Sequence, residues 1–393
     1  MSNYTDQQII LIKQLKEQGL VWEEIAESYK SHYPDEAKSA NAIRKAFKRF
    51  EIYEIEDDTL VSSLIKNRKV EKTNLKLRKE QKQLIDSHIT FDEVLEKIQD
   101  LVKKIPAEVS KSSKQKTRIK KDSKKESMVI ESILSDLHFG LKTKTFNVAV
   151  ARERIRKLSN TLIDEKERYS KNYNIEKFNI LLGGDIIQSA TMHEDSKNSC
   201  EITNAEQISI AIESLFIDFF LPLIKEGIEI DVVGVCGNHD RESTNRFTVN
   251  PGNTYFTYTI YKTLELLCKP YKNINFNIPT DPYTIYKIFN SYFLLEHGDL
   301  VGKNTVTALE NQLIKRSAQV SKILSGIRIG HYHEDMTTNL GRHIVNGSLV
   351  SDDHFGNGLG YKSRPAQVIN YYVETNKREN CYYHSFIVNL NEI

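Results

Sequence analysis

Five short motifs, in one order along the C-terminal two thirds of the chain, constrain its fold more than any other feature. They are Asp136-Leu137-His138, Gly184-Asp185, Gly237-Asn238-His239-Asp240, His297-Gly298 and Gly330-His331-Tyr332-His333. Each falls where an apolar, strand-like run gives way to a polar loop. The runs are Met128–Ser135, Phe178–Gly183, Ile228–Cys236, Tyr292–Glu296 and Ile327–Ile329. Stretches around 145–172 and 203–226 are long enough for helices between the first three runs. This alternation predicts an α/β domain with its polar motifs at the C-terminal ends of strands. Glu334 to Leu349 reads as a hairpin turning near Asn339-Leu340-Gly341. The tail holding Tyr371, Tyr372, Tyr382 and Tyr383 reads as closing strands.

Alone, Asp136-Leu137-His138 says little, since Asp and His recur in loops by chance. After a strand, however, residues two apart straddle a bend and can both turn towards one ion. Gly183-Gly184 lets backbone approach closely and leaves the Asp185 carboxylate exposed to a ligand, although a helix-capping Asp would look the same. Gly237-Asn238-His239-Asp240 puts an amide oxygen, an imidazole and a carboxylate on one tight turn, an arrangement that is costly without a role. His331 and His333 add two imidazoles around an intervening residue. Together the donors suffice for two adjacent divalent ions with one histidine to spare. Asp240 is expected to orient His239 or cap the next helix rather than bind metal.

At 393 residues the chain has room for a sizeable catalytic core and one or two smaller modules. No apolar run of ~18 residues is evident, which argues against a membrane span, and Met1–Asp6 lacks the layout of a signal peptide. Cys200, Cys236, Cys268 and Cys381 are scattered, so a disulfide framework or zinc knuckle is not expected. A reducing, cytoplasmic setting fits that usage. Cys236 lies in an apolar run and reads as a small core residue.

The N-terminal region has a different texture. Ile9, Ile12 and Leu15, then Trp22, Ile25, Ala26 and Tyr29, then Ile43, Ala46, Phe47 and Phe50 form three helical stripes, with Gly19 breaking the first. Arg44, Lys45, Lys48 and Arg49 lie away from the third stripe. This segment resembles helix-turn-helix modules of the Myb/SANT or homeodomain-like kind, whose last helix enters the major groove. A small protein-docking bundle would share the same core. Residues 57–102 read as helix, with Phe91, Val94, Leu95, Ile98, Leu101 and Val102 on one face, for self-association or for packing on the next domain. Pro106 ends that helix. Lys111 to Lys125 is a basic, apolar-poor tether that could also hold a nucleic-acid backbone. The expected divisions are a trihelical module over 1–55, a helical and Lys-rich linker over 56–127, and a catalytic domain over 128–393.

The order and spacing of the five motifs make residues 128 to about 350 resemble the calcineurin-like metallophosphoesterase superfamily. The resemblance implies a double β-sheet sandwich flanked by helices (αββα) with a two-metal site at one edge. It implies that Asp136, His138 and His333 hold one ion, that Asn238, His297 and His331 hold the other, and that Asp185 bridges them. His239 would stay off the metals as the catalytic acid beside the scissile group. A metal-bridging hydroxide would be the nucleophile. A donor set of imidazole and oxygen without thiolate suits Mn²⁺, Fe²⁺, Zn²⁺ or Co²⁺ better than Ca²⁺, with Mn²⁺ the expectation from family habit.

Protein phosphatases of this superfamily read Gly-Asp-x-x-Asp-Arg-Gly, whereas this chain reads Gly184-Asp185-Ile186-Ile187-Gln188-Ser189-Ala190. That departure argues against phosphoprotein substrates. Gly-Asn-His-Asp with Gly-His-x-His is shared by SbcD-type repair nucleases, cyclic-nucleotide phosphodiesterases and nucleotide hydrolases. The preceding helical module and basic tether resemble the arrangement in phage and prophage metallophosphoesterases. The leading expectation is therefore a phosphodiesterase or nuclease acting on DNA. The alternatives are a small-molecule phosphohydrolase for nucleotides or cyclic nucleotides, and a DNA-binding scaffold with a vestigial site. Against the scaffold, no expected ligand position is missing. Tyr255, Tyr258 and Tyr261 could stack bases or, at helical spacing, belong to a core. His193 and His354 fall in loops that could border the site or simply be solvated.

Overall fold

The structure, a computed structural model, describes residues 4–54, 96, 122–191, 196–241, 255–350, 364–374 and 381–391. The expected helix over 57–102, apart from Glu96, and most of the Lys-rich tether lie outside these residues, as do His193 and His354. The chain divides into two compact units, Met1–His88 and Ile89–Ile393.

In the first unit three helices, α1 (Asp6–Glu17), α2 (Trp22–His32) and α3 (Ala40–Glu54), enclose Ile12, Ile25, Tyr29 and Ile43. Thr5 opens α1 through a reciprocal cap: the Gln8 N–H donates to Thr5 Oγ1 at 3.4 Å and the Thr5 N–H donates to Gln8 Oε1 at 2.8 Å. Gly19, at φ +85°, follows the helix end in a conformation that L side chains resist. Trp22 packs on Phe47 with ring centroids 5.4 Å apart. On α3 the side chains of Arg44, Lys45 and Lys48 are exposed, while those of Arg49 and Phe50 lie outside the described residues.

The second unit is built on two sheets. Its elements in chain order are β1 (Ser127–Leu134), α4 (Val148–Ser170), β2 (Asn174–Leu182), α5 (Asn204–Lys225), β3 (Glu229–Gly234) and α6 (Phe256–Cys268). There follow β4 (Ile274–Asn277), β5 (Tyr283–Ile288), β6 (Ser291–Glu296), α7 (Val306–Val320), β7 (Leu324–Ile329), β8 (Met336–Thr338) and β9 (His343–Val345), then β10 (Ala366–Val373) and β11 (Tyr382–Asn389). The first sheet has the order β11-β10-β1-β2-β3-β4 and the second β5-β6-β7-β9-β8. Strands β1 to β4 run parallel, as do β6, β7 and β9.

Alternation within β1 explains the layering. Met128, Ile130 and Leu134 pack under helices with residues of α4 and α5, while Val129 and Ile133 face the second sheet and meet Tyr286, Phe293 and Ile344. On the outer face of the second sheet Leu309 and Leu313 of α7 cover Leu294, Ile327 and Ile329. The result is the expected helix–sheet–sheet–helix sandwich, with a small helical unit ahead of it in sequence.

Two strands start earlier than the apolar runs suggest. β2 begins at Asn174 and β7 at Leu324, because their first halves are polar or interrupted by Ser325-Gly326 and only the later halves are fully buried. The hairpin forms where expected: β8 and β9 pair antiparallel around Asn339, Leu340 and Gly341, all at positive φ. The tail supplies β10 and β11. Contrary to the expectation from apolar runs, one helix among the described residues, Asn204–Lys225, is long and apolar enough to cross a membrane, with mean hydropathy 1.7. Two thirds of that window (67%) is buried inside the domain, where it serves as a core helix. Its middle, Ser214–Phe220, widens into a π-helical stretch.

Candidate metal centre

All five motifs leave the C-terminal ends of parallel strands, so both sheets deliver loops to one edge. Asp136 and His138 follow β1, Asp185 follows β2, Asn238 and His239 follow β3, His297 follows β6, and His331 and His333 follow β7. Backbone bonds lace these loops together. The Asp136 N–H donates to Gly184 O at 3.0 Å, the His138 N–H to Asp185 O at 3.1 Å, and the Gly330 N–H to His297 O at 2.8 Å.

Two groups of donors result. Asp136, His138 and His333 form one, and Asp185, His297 and His331 the other, with the ligand atoms of each within 4.8 Å of one another. In the first, His138 Nε2 lies 3.1 Å from His333 Nε2, which in turn is 3.5 Å from Asp136 Oδ1. In the second, His297 Nε2 is 3.2 Å from Asp185 Oδ2 and 3.0 Å from Asn238 Oδ1, which places Asn238 with this group. Asp185 thus groups by distance with the second set, while its charge is also felt by His138 and Asp136 of the first.

Backbone conformation marks the same residues. Asp136, His138, Asp185, His331 and His333 all have φ between +47° and +71°. They are five of the ten non-glycine positive-φ residues among those described. Each costs of order 1–3 kcal/mol, and such strain persists only where the surroundings over-determine it. The glycines between them leave no room for a side chain. A Cβ on Gly184, itself at φ +88°, would come within 2.7 Å of Gly237 Cα.

Charge and tautomer fit a cationic occupant. Burial, with His239 and His333 nearby, pushes His138 down to about 3, and burial with His297 pushes His331 down to about 4, so both rings are neutral with lone pairs to offer. His138 Nε2 faces the group, while its Nδ1 is buried with no hydrogen-bond partner among the described residues. His297 donates from Nδ1 to Gly183 O at 2.8 Å, which turns Nε2 towards Asp185. Although burial disfavours its charge, the Asp185 carboxylate holds His297 well above the usual imidazole range. Asp136 and Asp185 are held below the carboxylate range, against burial, by His333 and by His297 respectively. The donor set therefore fits a pair of divalent ions.

His239 stands apart from both groups. Its Nδ1 bonds Gln188 O at 2.9 Å, its backbone N–H donates to Asp185 Oδ1 at 2.7 Å, and its ring meets the His138 ring edge-on with centroids 4.9 Å apart. Asp240 braces the loops rather than joining either donor group. Its carboxylate gathers the backbone N–H groups of Gly237 at 2.7 Å, Asp185 at 2.8 Å and Ile186 at 3.1 Å, and it also meets the Thr257 side chain in the first turn of α6. Its main-chain oxygen reaches the same helix, accepting from Phe256 N at 2.7 Å. Burial and the charge of Asp185 push the Asp240 carboxyl up to about 6.

Sequence reasoning missed the braces. Gln207 on α5 accepts from the Ser189 N–H at 2.9 Å, and Asn204 accepts from the Ala190 N–H at 2.8 Å, fixing the turn whose Gln188 carbonyl holds His239. Ser348 Oγ donates to Asp136 O at 2.9 Å. No motif flags such residues, because their partners are distant in sequence. Tyr261 is fully buried and donates to Val235 O at 3.1 Å, so it belongs to the core; the segment 242–254 before it lies outside the described residues.

No protein-family model matches the chain, and no curated protein matches it. Among solved structures it is similar to a novel archaeal phosphodiesterase at 16% identity over 66% of this chain and 99% of that one, with TM-score 0.31. It is similar to an uncharacterised protein from Streptococcus pneumoniae TIGR4 described as a predicted phosphoesterase, at 13% identity over 67% and 98% of the two chains, TM-score 0.27. It is also similar to Vps29 from Entamoeba histolytica complexed with zinc, at 11% identity over 67% and 99%, TM-score 0.28. At such distances the chemistry of the centre is read from this chain's own residues.

Proposed function

We propose that the chain is a binuclear, divalent-metal-dependent phosphoester hydrolase, most specifically a phosphodiesterase acting on nucleic acid. The observation that carries the reading is the convergence of Asp136, His138 and His333 beside Asp185, His297 and His331, on strained loops from both sheets. Asn238 would complete the second set, and Asp185, whose charge reaches both groups, would serve both. When bound, a pair of divalent ions supplies Lewis acidity, lowering the pKa of water and offsetting charge on phosphoryl oxygens. Any of Mn²⁺, Fe²⁺, Zn²⁺ and Co²⁺ suits these donors, and Mn²⁺ is the first to try.

The remaining residues set the geometry and move a proton. In neutral His239 the bond to Gln188 O keeps the proton on Nδ1, so a second proton enters and leaves at Nε2. From Nε2 the ring would protonate a departing alkoxide. Asp240 holds the Gly184–Ile186 loop against the Gly237 turn, fixing Asp185 relative to Asn238. A nucleic-acid substrate is supported by the exposed Arg44, Lys45 and Lys48 on α3 and by the basic tether that follows in sequence.

Purified full-length protein with Mn²⁺, assayed on bis-p-nitrophenyl phosphate, single- and double-stranded DNA, and cyclic nucleotides, tests the reading. Hydrolysis of DNA that vanishes in Asp185→Asn is expected. Turnover of cyclic nucleotides alone would replace nucleic acid by a small molecule as substrate. His239→Ala should lose ~10²–10⁴-fold on DNA but far less on the p-nitrophenyl ester, whose phenolate leaves without a proton.

A further inference from the structure

Outside the two donor groups, an ion pair between a buried Arg241 and a half-buried Asp299 joins the loops that carry Asn238 and His297. Arg241 NH2 donates to Asp299 Oδ2 at 2.9 Å, with side chains only 7% and 19% exposed. Arg241 lies three residues after Asn238 in the connection from β3 to α6, and Asp299 two residues after His297 in the connection from β6 to α7. The loops come from different sheets, so no strand ladder fixes their separation. They meet at the Asn238–His297 contact, made by the donors themselves, and at this ion pair.

The pair is a poor candidate for plain stability. Burying the Arg241 charge and most of the Asp299 charge costs free energy that their attraction must first offset, and an apolar pair would serve as well. Among the described residues Arg241 Nε, also buried, has no hydrogen-bond partner, a further cost. Arg241 is tethered on its other side through a backbone bridge to Tyr255, at the start of α6. The guanidinium lies between the Tyr255 side chain, which also bonds to Arg241, and Asp299 of the His297 loop.

We propose that Arg241 and Asp299 are positioning residues: their ion pair sets the spacing of the Asn238 and His297 loops, and thereby the affinity of the second donor set for its divalent ion. The inference rests on the two-ion reading of the centre. Neither residue need touch an ion. Removing the strut leaves every donor in place but lets Asn238 and His297 drift, so the second set weakens while the Asp136, His138 and His333 set keeps its grip.

Calorimetric titration of the metal-stripped full chain with Mn²⁺ resolves the question, with thermal melts of the metal-free proteins run alongside. In wild type two binding steps are expected. Asp299→Asn and Arg241→Lys should weaken one step by ~10–100-fold and leave the other unchanged. The double variant Arg241→Gln with Asp299→Asn leaves no unpaired charge, so it remains informative where a single variant unfolds, and it should show the same selective loss. Equal weakening of both steps, or two unchanged steps in a folded variant, overturns the positioning role. A wild type that binds no divalent ion overturns the two-ion reading itself, a result distinct from either.

Discussion

The sheets that supply the two halves of the centre are held together by a charged knot in the core, and breaking it gives a quantitative test. Glu131 on β1 and Arg328 on β7 are both fully buried, with Arg328 Nε donating to Glu131 Oε1 at 3.1 Å. The same carboxylate accepts from Tyr286 OH at 2.7 Å, Tyr372 OH at 2.9 Å, Asn370 Nδ2 at 2.9 Å and Asn179 Nδ2 at 3.2 Å. Arg328→Met leaves a buried carboxylate without its counter-charge, which costs ~3–5 kcal/mol. For an isolated pair, replacing both partners by Met would restore stability. Here four further donors would lose their acceptor, at ~1 kcal/mol or more each, so the double variant Glu131→Met with Arg328→Met should stay at least ~3 kcal/mol below wild type. Urea unfolding followed by fluorescence should show midpoints lowered by ~1 M or more in both. Because β1 to β3 carry Asp136, His138, Asp185 and Asn238 while β6 and β7 carry His297, His331 and His333, folded double variant should also bind divalent ions more weakly. A double variant as stable as wild type would refute the claim that this network, rather than apolar contact alone, clamps the sheets.

Other perturbations separate the links of the argument. Gly184→Ala should abolish metal binding in a still folded protein, since its new Cβ meets Gly237 and its φ of +88° disfavours any side chain; melting and metal titration check both halves. Acid unfolding should register Glu310, whose carboxyl the Arg342 guanidinium, with help from His343, lowers from 4.5 to about 2. A depressed folded value means the stabilisation is complete above pH 4.5 and disappears as pH falls towards 2, so Glu310→Gln should flatten that limb. With a third of the Glu310 side chain exposed (33%), solvent screening keeps the effect below ~1 kcal/mol. Replacing Arg44, Lys45 and Lys48 together by Ala should weaken DNA binding and reduce its salt dependence in filter-binding assays, while leaving hydrolysis of bis-p-nitrophenyl phosphate unchanged.

How much of this was legible beforehand follows from the range of each interaction. Strand ends were visible because a buried parallel strand is a short apolar run and the motif follows it immediately, as at Leu134 to Asp136. The helix–sheet–sheet–helix layering needed only the order of those ends and a resemblance. Half-buried strand beginnings, such as Asn174–Lys177, carry no such run. That Asp240 also gathers three backbone donors from two loops cannot be inferred from one tetrapeptide. Glu131 with Arg328, and Arg241 with Asp299, lie 197 and 58 positions apart, and nothing local to either partner announces the other.

The central claim concerns ions, so counting them is the most direct measurement. After reconstitution with Mn²⁺ and exhaustive desalting, elemental analysis of the full-length protein should find two ions per chain, and markedly fewer in Asp185→Asn at unchanged fold by circular dichroism. A wild type that retains no divalent metal under these conditions, or an Asp185→Asn variant that retains as much as wild type, would contradict the account.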